Sequence, residues 1–196
     1  MARYGIPIAK CNQNPLDLSS CNMQLDWRAA MDQRSGCPIN LATEMLGDRW
    51  SMVILRDVMF GDRRTFTDIL NNSLEGVATN ILASRLKKLV VDDMLTGKPD
   101  PNHKQRTIYS LTEKSIALLP ALIALGAWGR RFLPATPELT IRNQLLEEGG
   151  PELQEAFMAE LRERHLGVPN PREGPSVSAQ MQAAYETAVA RTQKDI

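Results

Sequence analysis

Histidine is almost missing from this chain: its 196 residues contain two, His103 and His165. Histidine-based acid–base catalysis and histidine-rich metal sites therefore have little to work with. Cysteine is scarce as well. Cys11, Cys21 and Cys37 are an odd number at wide spacing, which fits reduced thiols better than a disulfide framework and matches no zinc-binding pattern. There is no Ser/His/Asp set, no HExxH, no glycine-rich phosphate loop and no dinucleotide fingerprint. An enzyme is not expected, and no cofactor or metal is implied. No apolar run reaches the roughly 18 residues of a membrane span. The opening MARYGIPIAKCNQNPLD lacks the apolar stretch of a signal peptide. A cytoplasmic protein without a membrane partner is the expectation.

Net charge is also absent, with 23 basic residues against 23 acidic ones. The distribution says more than the sum. Residues 49–112 carry a net +3, residues 113–132 a further +2, and residues 133–196 a net −4. A basic middle against an acidic tail can give a neutral protein one positive face. The chain is 43% hydrophobic, enough for a core, and its length allows one medium domain with appendages or two small ones.

Residues 1–35 read as an arm. Met23, Trp27 and Met31 are spaced i, i+4, i+8, as in one or two helical turns. Trp27 would dock the arm on a neighbour or stack on a ligand. A helix is predicted from Pro38 to Gly47, with the proline in its first turn and the glycine as its stop. A second runs from Trp50 to about Phe60 and buries Trp50, Val53, Ile54, Val58 and Met59.

The stretch from Arg64 to Thr112 organises the rest. It reads as a short helix over 65–71, a turn containing Gly76, a helix over 79–92, and two strands over 94–98 and 105–111 around a Pro/Asn/His/Lys tip. That is the order of a helix-turn-helix followed by a β wing, whose second helix ordinarily lies in the DNA major groove. At 100° per residue Ile81, Leu82, Leu86 and Leu89 share one sector. Asn80, Ser84, Lys87 and Lys88 fall opposite, with Arg85 at the boundary. Lysine and arginine neutralise phosphates, and Arg, Asn and Ser can read base edges. Thr79, Asn80, Ser84, Arg85, Lys87 and Lys88 are therefore candidates for the groove. His103, Lys104 and Arg106 are candidates in the wing, and Arg63 and Arg64 are candidate phosphate contacts. The plainer alternatives are a solvated helix face and an ordinary exposed hairpin.

A long helix is expected from Thr112 to about Phe132, kinked or restarted at Pro120. Leu118, Leu119, Leu122, Ile123, Leu125 and Trp128 make it apolar over more than half its circumference. Such a helix needs cover on two sides, as at a subunit interface. Beyond Pro134, helices are expected over 138–148, 151–165 and 176–192, with a Pro/Gly-rich linker at 167–175. They would pack on the domain or on a partner subunit. Cys37 precedes the first core helix. There it is either a thiol activated by the helix N-terminus and open to oxidation, or a small buried hydrophobe.

Several ordered motifs resemble the HxlR-type winged helix-turn-helix regulators. They are Cys37-Pro38-Ile39, Gly47-Asp48-Arg49-Trp50, Ile54-Leu55-Arg56-Asp57 and Phe60-Gly61-Asp62-Arg63-Arg64. Ile81-Leu82-Ala83-Ser84-Arg85-Leu86-Lys87-Lys88-Leu89 and Tyr109-Ser110-Leu111-Thr112-Glu113-Lys114 continue the match. The resemblance covers about 36–132. It implies a homodimer joined by its N-terminal and long C-terminal helices and bound to inverted-repeat operators. It also implies a sensor role for a cysteine at the position of Cys37. Two positions depart from the family pattern. Asp93 stands where a glycine usually ends the recognition helix, and Asp reaches the left-handed region less easily. Ala78-Thr79 replaces Ser-Pro, so Thr79 would cap the helix instead of reading a base.

The fold expected is mainly α with a small β wing: an arm (1–35), a winged helix-turn-helix domain with a long dimerisation helix (36–133) and a helical C-terminal extension (134–196). The function expected is a homodimeric, sequence-specific DNA-binding transcriptional regulator, a repressor by analogy, on inverted-repeat double-stranded DNA. Its trigger would be a small-molecule effector or Cys37 oxidation. The alternative is a winged-helix protein-interaction module that does not bind DNA.

Overall fold

The hydrophobic stripes find their cover in one shared core. In the computed structural model, residues 35–193 are described. The expected turns over 23–33, Trp27, Cys11 and Cys21 lie outside the described residues. Helix α1 (Pro38–Leu46) has its proline in the first turn and stops at Gly47, whose amide donates to the Thr43 carbonyl at 2.7 Å. Gly47 has φ −73°, so its role is not a left-handed turn. A Cβ there would collide with the backbone of Thr43.

Helix α2 (Ser51–Gly61) is capped from Asp48, which accepts the amides of Trp50 and Ser51 at 3.0 Å each. Its buried arc contains Ile54, Leu55, Val58 and Met59, with Trp50 half-buried. Leu55 thus takes the buried place expected for Val53, which is half-buried. The helix is covered on more than one side, so its apolar arc is wider than a single stripe. Helix α3 (Phe66–Asn72) starts at Thr65, whose hydroxyl accepts the Asp68 amide at 3.2 Å. A turn with Gly76 at φ +64° leads to α4 (Thr79–Val91), which buries Leu82, Leu86 and Leu89.

Asp93, at φ +55°, does adopt the left-handed conformation after α4. Its carbonyl accepts the Thr112 hydroxyl at 2.8 Å, which ties the turn to the end of the wing. Asp93→Gly is expected to stabilise the fold by about 0.5–1 kcal/mol, the left-handed strain relieved less the extra chain entropy of glycine. A urea midpoint that falls in this variant would show that the turn is not strained.

Strands β1 (Leu95–Asp100) and β2 (His103–Leu111) pair antiparallel, with Leu95 opposite Leu111 and Gly97 opposite Tyr109. A single bridge from Thr65 to Ile108 adds a short rung on the far side of β2. Thr112 and Ser115 then form a capping box for α5 (Glu113–Ile116). Helix α6 (Leu119–Phe132) restarts with Pro120 in its first turn, so the proline separates two helices.

The extension forms α7 (Pro137–Glu148), α8 (Gly150–Leu166) and α9 (Val177–Thr192). These helices pack on their own domain. Leu146, Phe157, Leu161, Val177 and Met181 belong to the same core as Ile54, Ile69, Leu86 and Leu111. The Phe60 and Phe157 rings lie 5.6 Å apart. Polar clamps reinforce the docking. Arg162 holds Glu113 through Nε at 3.0 Å and Nη2 at 2.8 Å, Arg130 and Arg131 both reach Glu147, and Asn143 donates to the Ile123 carbonyl at 3.1 Å. At Gly126 a Cβ would strike the Asn143 amide, so the glycine permits this approach.

Candidate nucleic-acid interface

Helix α4 divides as its periodicity requires. Leu82, Leu86 and Leu89 face the core, and Thr79, Asn80, Ser84 and Lys87 are exposed. No acidic residue occurs from Thr79 to Val91. Ala78 is the N-cap and provides no side-chain cap, while Thr79 is the first helical residue. The expectation that Thr79 caps the helix is therefore corrected: its exposed hydroxyl stays available at the helix N-terminus.

Arg85, Lys88, Arg63 and Arg64 have partners within the fold. Arg85 is half-buried and pairs with Asp48 at 3.3 Å. Burial alone would raise the Asp48 pKa, but bonds from Ser51 and Trp50, with Arg85 nearby, hold it below the ordinary carboxylate value. Lys88 turns from the outer face toward α1, donating to the Met45 carbonyl at 2.7 Å and to Asp92 at 2.5 Å. Arg63 pairs with buried Asp57 at 3.1 Å. Arg64 donates to the Tyr109 carbonyl at 3.2 Å and to the Ser110 hydroxyl. The structure thus gives Arg85, Lys88, Arg63 and Arg64 positioning contacts. In the wing, His103 is exposed at the tip, Lys104 follows it on β2, and Arg106, also exposed, pairs with Asp100 at 2.5 Å.

A charge network escaped the sequence reading. Arg56 grips Glu75 at 2.6 and 2.9 Å and Asp57 at 2.7 Å. Glu75 lies in the turn before α4, so this network ties that turn to α2. Its bonds to Arg56 hold the Glu75 carboxylate below its ordinary pKa. The only signal in the sequence is an acid, Asp57, on the same face as Ile54.

Cys37 is exposed at the N-cap of α1. The buried-hydrophobe alternative does not hold. No group of three or more His, Cys, Asp or Glu able to hold a metal occurs among the described residues. No helix among them is long and apolar enough to cross a membrane. One side of α6 faces away from the core: Leu125, Trp128, Phe132 and the following Leu133 are each at least half exposed, and the Trp128 and Phe132 rings lie 5.8 Å apart.

The HxlR-like helix-turn-helix family model matches residues 45–137. An HTH-type transcriptional regulator of Mycobacterium tuberculosis is 33% identical over 115 residues, covering 58% of this chain and 71% of the relative. The HTH-type transcriptional regulator YodB of Bacillus subtilis is 32% identical over 97 residues, covering 49% of this chain and 85% of YodB. The solved reduced form of YodB aligns with a TM-score of 0.43 at 28% identity, over 51% of this chain and 97% of that one. Helices α8 and α9 lie wholly beyond the residues that the family model matches.

Proposed function

The chain belongs to the HxlR-like helix-turn-helix family and is a transcriptional regulator of that type, not an enzyme; on that premise we propose that it is a homodimeric repressor that binds inverted-repeat operators. The observation that carries this reading is α4 itself. It has an acid-free outer face of Thr79, Asn80, Ser84 and Lys87, held against α1 by Lys88 and at its leading turn by Glu75. Exposed side chains on a rigidly mounted helix are what base readout needs. Support for the dimer is the apolar outer side of α6, which a second copy would cover.

Recognition helices of a two-fold dimer must meet half-sites about one helical turn apart, so a small shift at the dimer interface spoils simultaneous contact. The trigger for such a shift is either oxidation of Cys37, which is exposed, or a small ligand.

The test is binding to DNA flanking the protein's own gene across a salt series, with and without diamide, beside Cys37→Ser. Specific binding that weakens steeply with salt is expected. Loss of binding in diamide only when Cys37 is present would establish the thiol trigger, and indifference would leave the small ligand. Lys87→Ala should weaken binding several-fold and flatten the log–log salt slope by about 1 per protomer. Lys88→Ala should lower the urea midpoint, because its ammonium holds the α1 end. No specific binding to any operator would replace this reading with the protein-interaction module.

A further inference from the structure

Strand β2 lies in a two-stranded sheet, so alternate amides on its outer edge have no partner in β1. Tyr109 and Leu111, two residues apart, direct their N–H groups to that edge. The Tyr109 amide donates to the Arg64 carbonyl at 2.7 Å. Leu111 is fully buried, so water cannot serve its amide. It donates instead to Nδ1 of His165 at 3.4 Å. His165 is the penultimate residue of α8, beyond the family match. The outer edge of β2 at the root of the hairpin is thus held at Tyr109 by residues leading into α3 and at Leu111 by the C-terminal extension.

The imidazole is set up for that task. Nδ1 can accept only while it carries no proton. Burial, then the charges of Arg64 and Arg164, push the His165 pKa down to about 3. The ring is neutral at physiological pH, with its proton on Nε2. Nε2 is itself buried and has no hydrogen-bond partner among the described residues, so the Leu111 amide is the ring's one hydrogen-bond contact there.

We propose that His165 is a wing-positioning residue, through which the C-terminal extension fixes the angle at which the β1–β2 hairpin meets DNA. The inference rests on the DNA-binding reading above. Leverage explains why one bond at the root matters. From Leu111 to the tip at His103 the strand spans roughly 26 Å at about 3.3 Å per residue. A tilt of roughly 5° at the root would carry the tip about 2 Å, beyond the tolerance of a phosphate hydrogen bond.

The test uses full-length His165→Leu and His165→Asn. Leucine fills the space without an acceptor; asparagine can place an amide oxygen near the position of Nδ1. Operator affinity across a salt series is measured beside hydrogen exchange of the Leu111 amide in the DNA-free protein. His165→Leu is expected to lose about three- to tenfold in affinity with a flatter salt slope, as wing–phosphate contacts are lost. Its Leu111 amide should exchange faster. Arg106→Ala should cost less in that background than in the wild type. His165→Asn should restore affinity, slope and protection together. Wild-type affinity and slope in His165→Leu, with Leu111 deprotected, would overturn the inference and leave a structural bond. Failure of His165→Asn to restore the slope while it protects Leu111 would do the same. A wild-type protein that binds no DNA would instead remove the functional reading, an outcome visible before any variant is compared.

Discussion

Trp128→Glu is expected to yield a folded monomer whose operator affinity is at least about a hundredfold weaker than that of the wild type. Helix α6 has two faces. Leu119, Ile123 and Ala127 are buried against the protomer's own core, whereas Trp128 is 52% exposed and Phe132 69%. A glutamate at position 128 therefore meets water in the monomer and costs its fold little. In a dimer formed through this face the same carboxylate would have to be desolvated without a partner, which is expensive. The tryptophan it replaces would bury in the interface the half of its surface that is exposed in the protomer, roughly 75–125 Å² on each side, a sizeable apolar contribution. Once the protomers separate, the second half-site is no longer bound at high local concentration, and avidity of about 10²–10⁴ is lost. Sedimentation equilibrium reports the oligomeric state, anisotropy with operator DNA the affinity, and circular dichroism the fold. A variant that remains dimeric would move the interface elsewhere. A variant that is monomeric with unchanged affinity would mean that one protomer suffices for binding.

Much of this architecture was legible because local rules agree with one another. The sector of Ile81, Leu82, Leu86 and Leu89 marked the inner face of α4, and three of those four side chains are fully buried. Pro120 marked a kink or a restart in the long helix, of which the restart is found, and the Pro/Asn/His/Lys tip announced the hairpin. What residue type cannot reveal is the partner. Arginines suited to phosphate are equally suited to buried carboxylates and carbonyls. Some of those partners are distant in sequence: Ser110 lies 46 residues from Arg64, and Met45, whose carbonyl accepts from Lys88, lies 43 away. Arg63, Arg64, Arg85 and Lys88, candidate DNA contacts by residue type, each also have a partner within the fold. Asp93 shows the converse limit, since a side chain with a modest penalty for the left-handed region adopts it when the flanking bonds require it. His165 gave no sequence signal, because its role depends on the burial of Leu111, 54 residues earlier. The extension's periodicity showed that its helices need cover without saying which surface supplies it.

The surface that covers them leads to the largest stability effect expected of a single substitution. Phe157→Ala should destabilise the protein by about 3–5 kcal/mol, the usual cost of deleting a buried aromatic ring. That is a large part of a typical domain's total of roughly 5–15 kcal/mol. Phe157 is 1% exposed and contacts Phe60 at the end of α2. The core it belongs to includes residues on both sides of the boundary at residue 137, and its ring meets Phe60, so the cavity would open between the extension and α2. From Cys37 onward the chain forms one compact unit. Unfolding should accordingly stay a single transition at a lower urea midpoint, with amide protection in α4 lost together with that in α8. If α8 lost protection at low urea while α4 kept it, the extension would be a separate folding unit, and the cost of the cavity would not reach the DNA-binding helices. Coincident loss would mean that any event loosening the extension is felt at α4, because both draw their stability from the same buried surface.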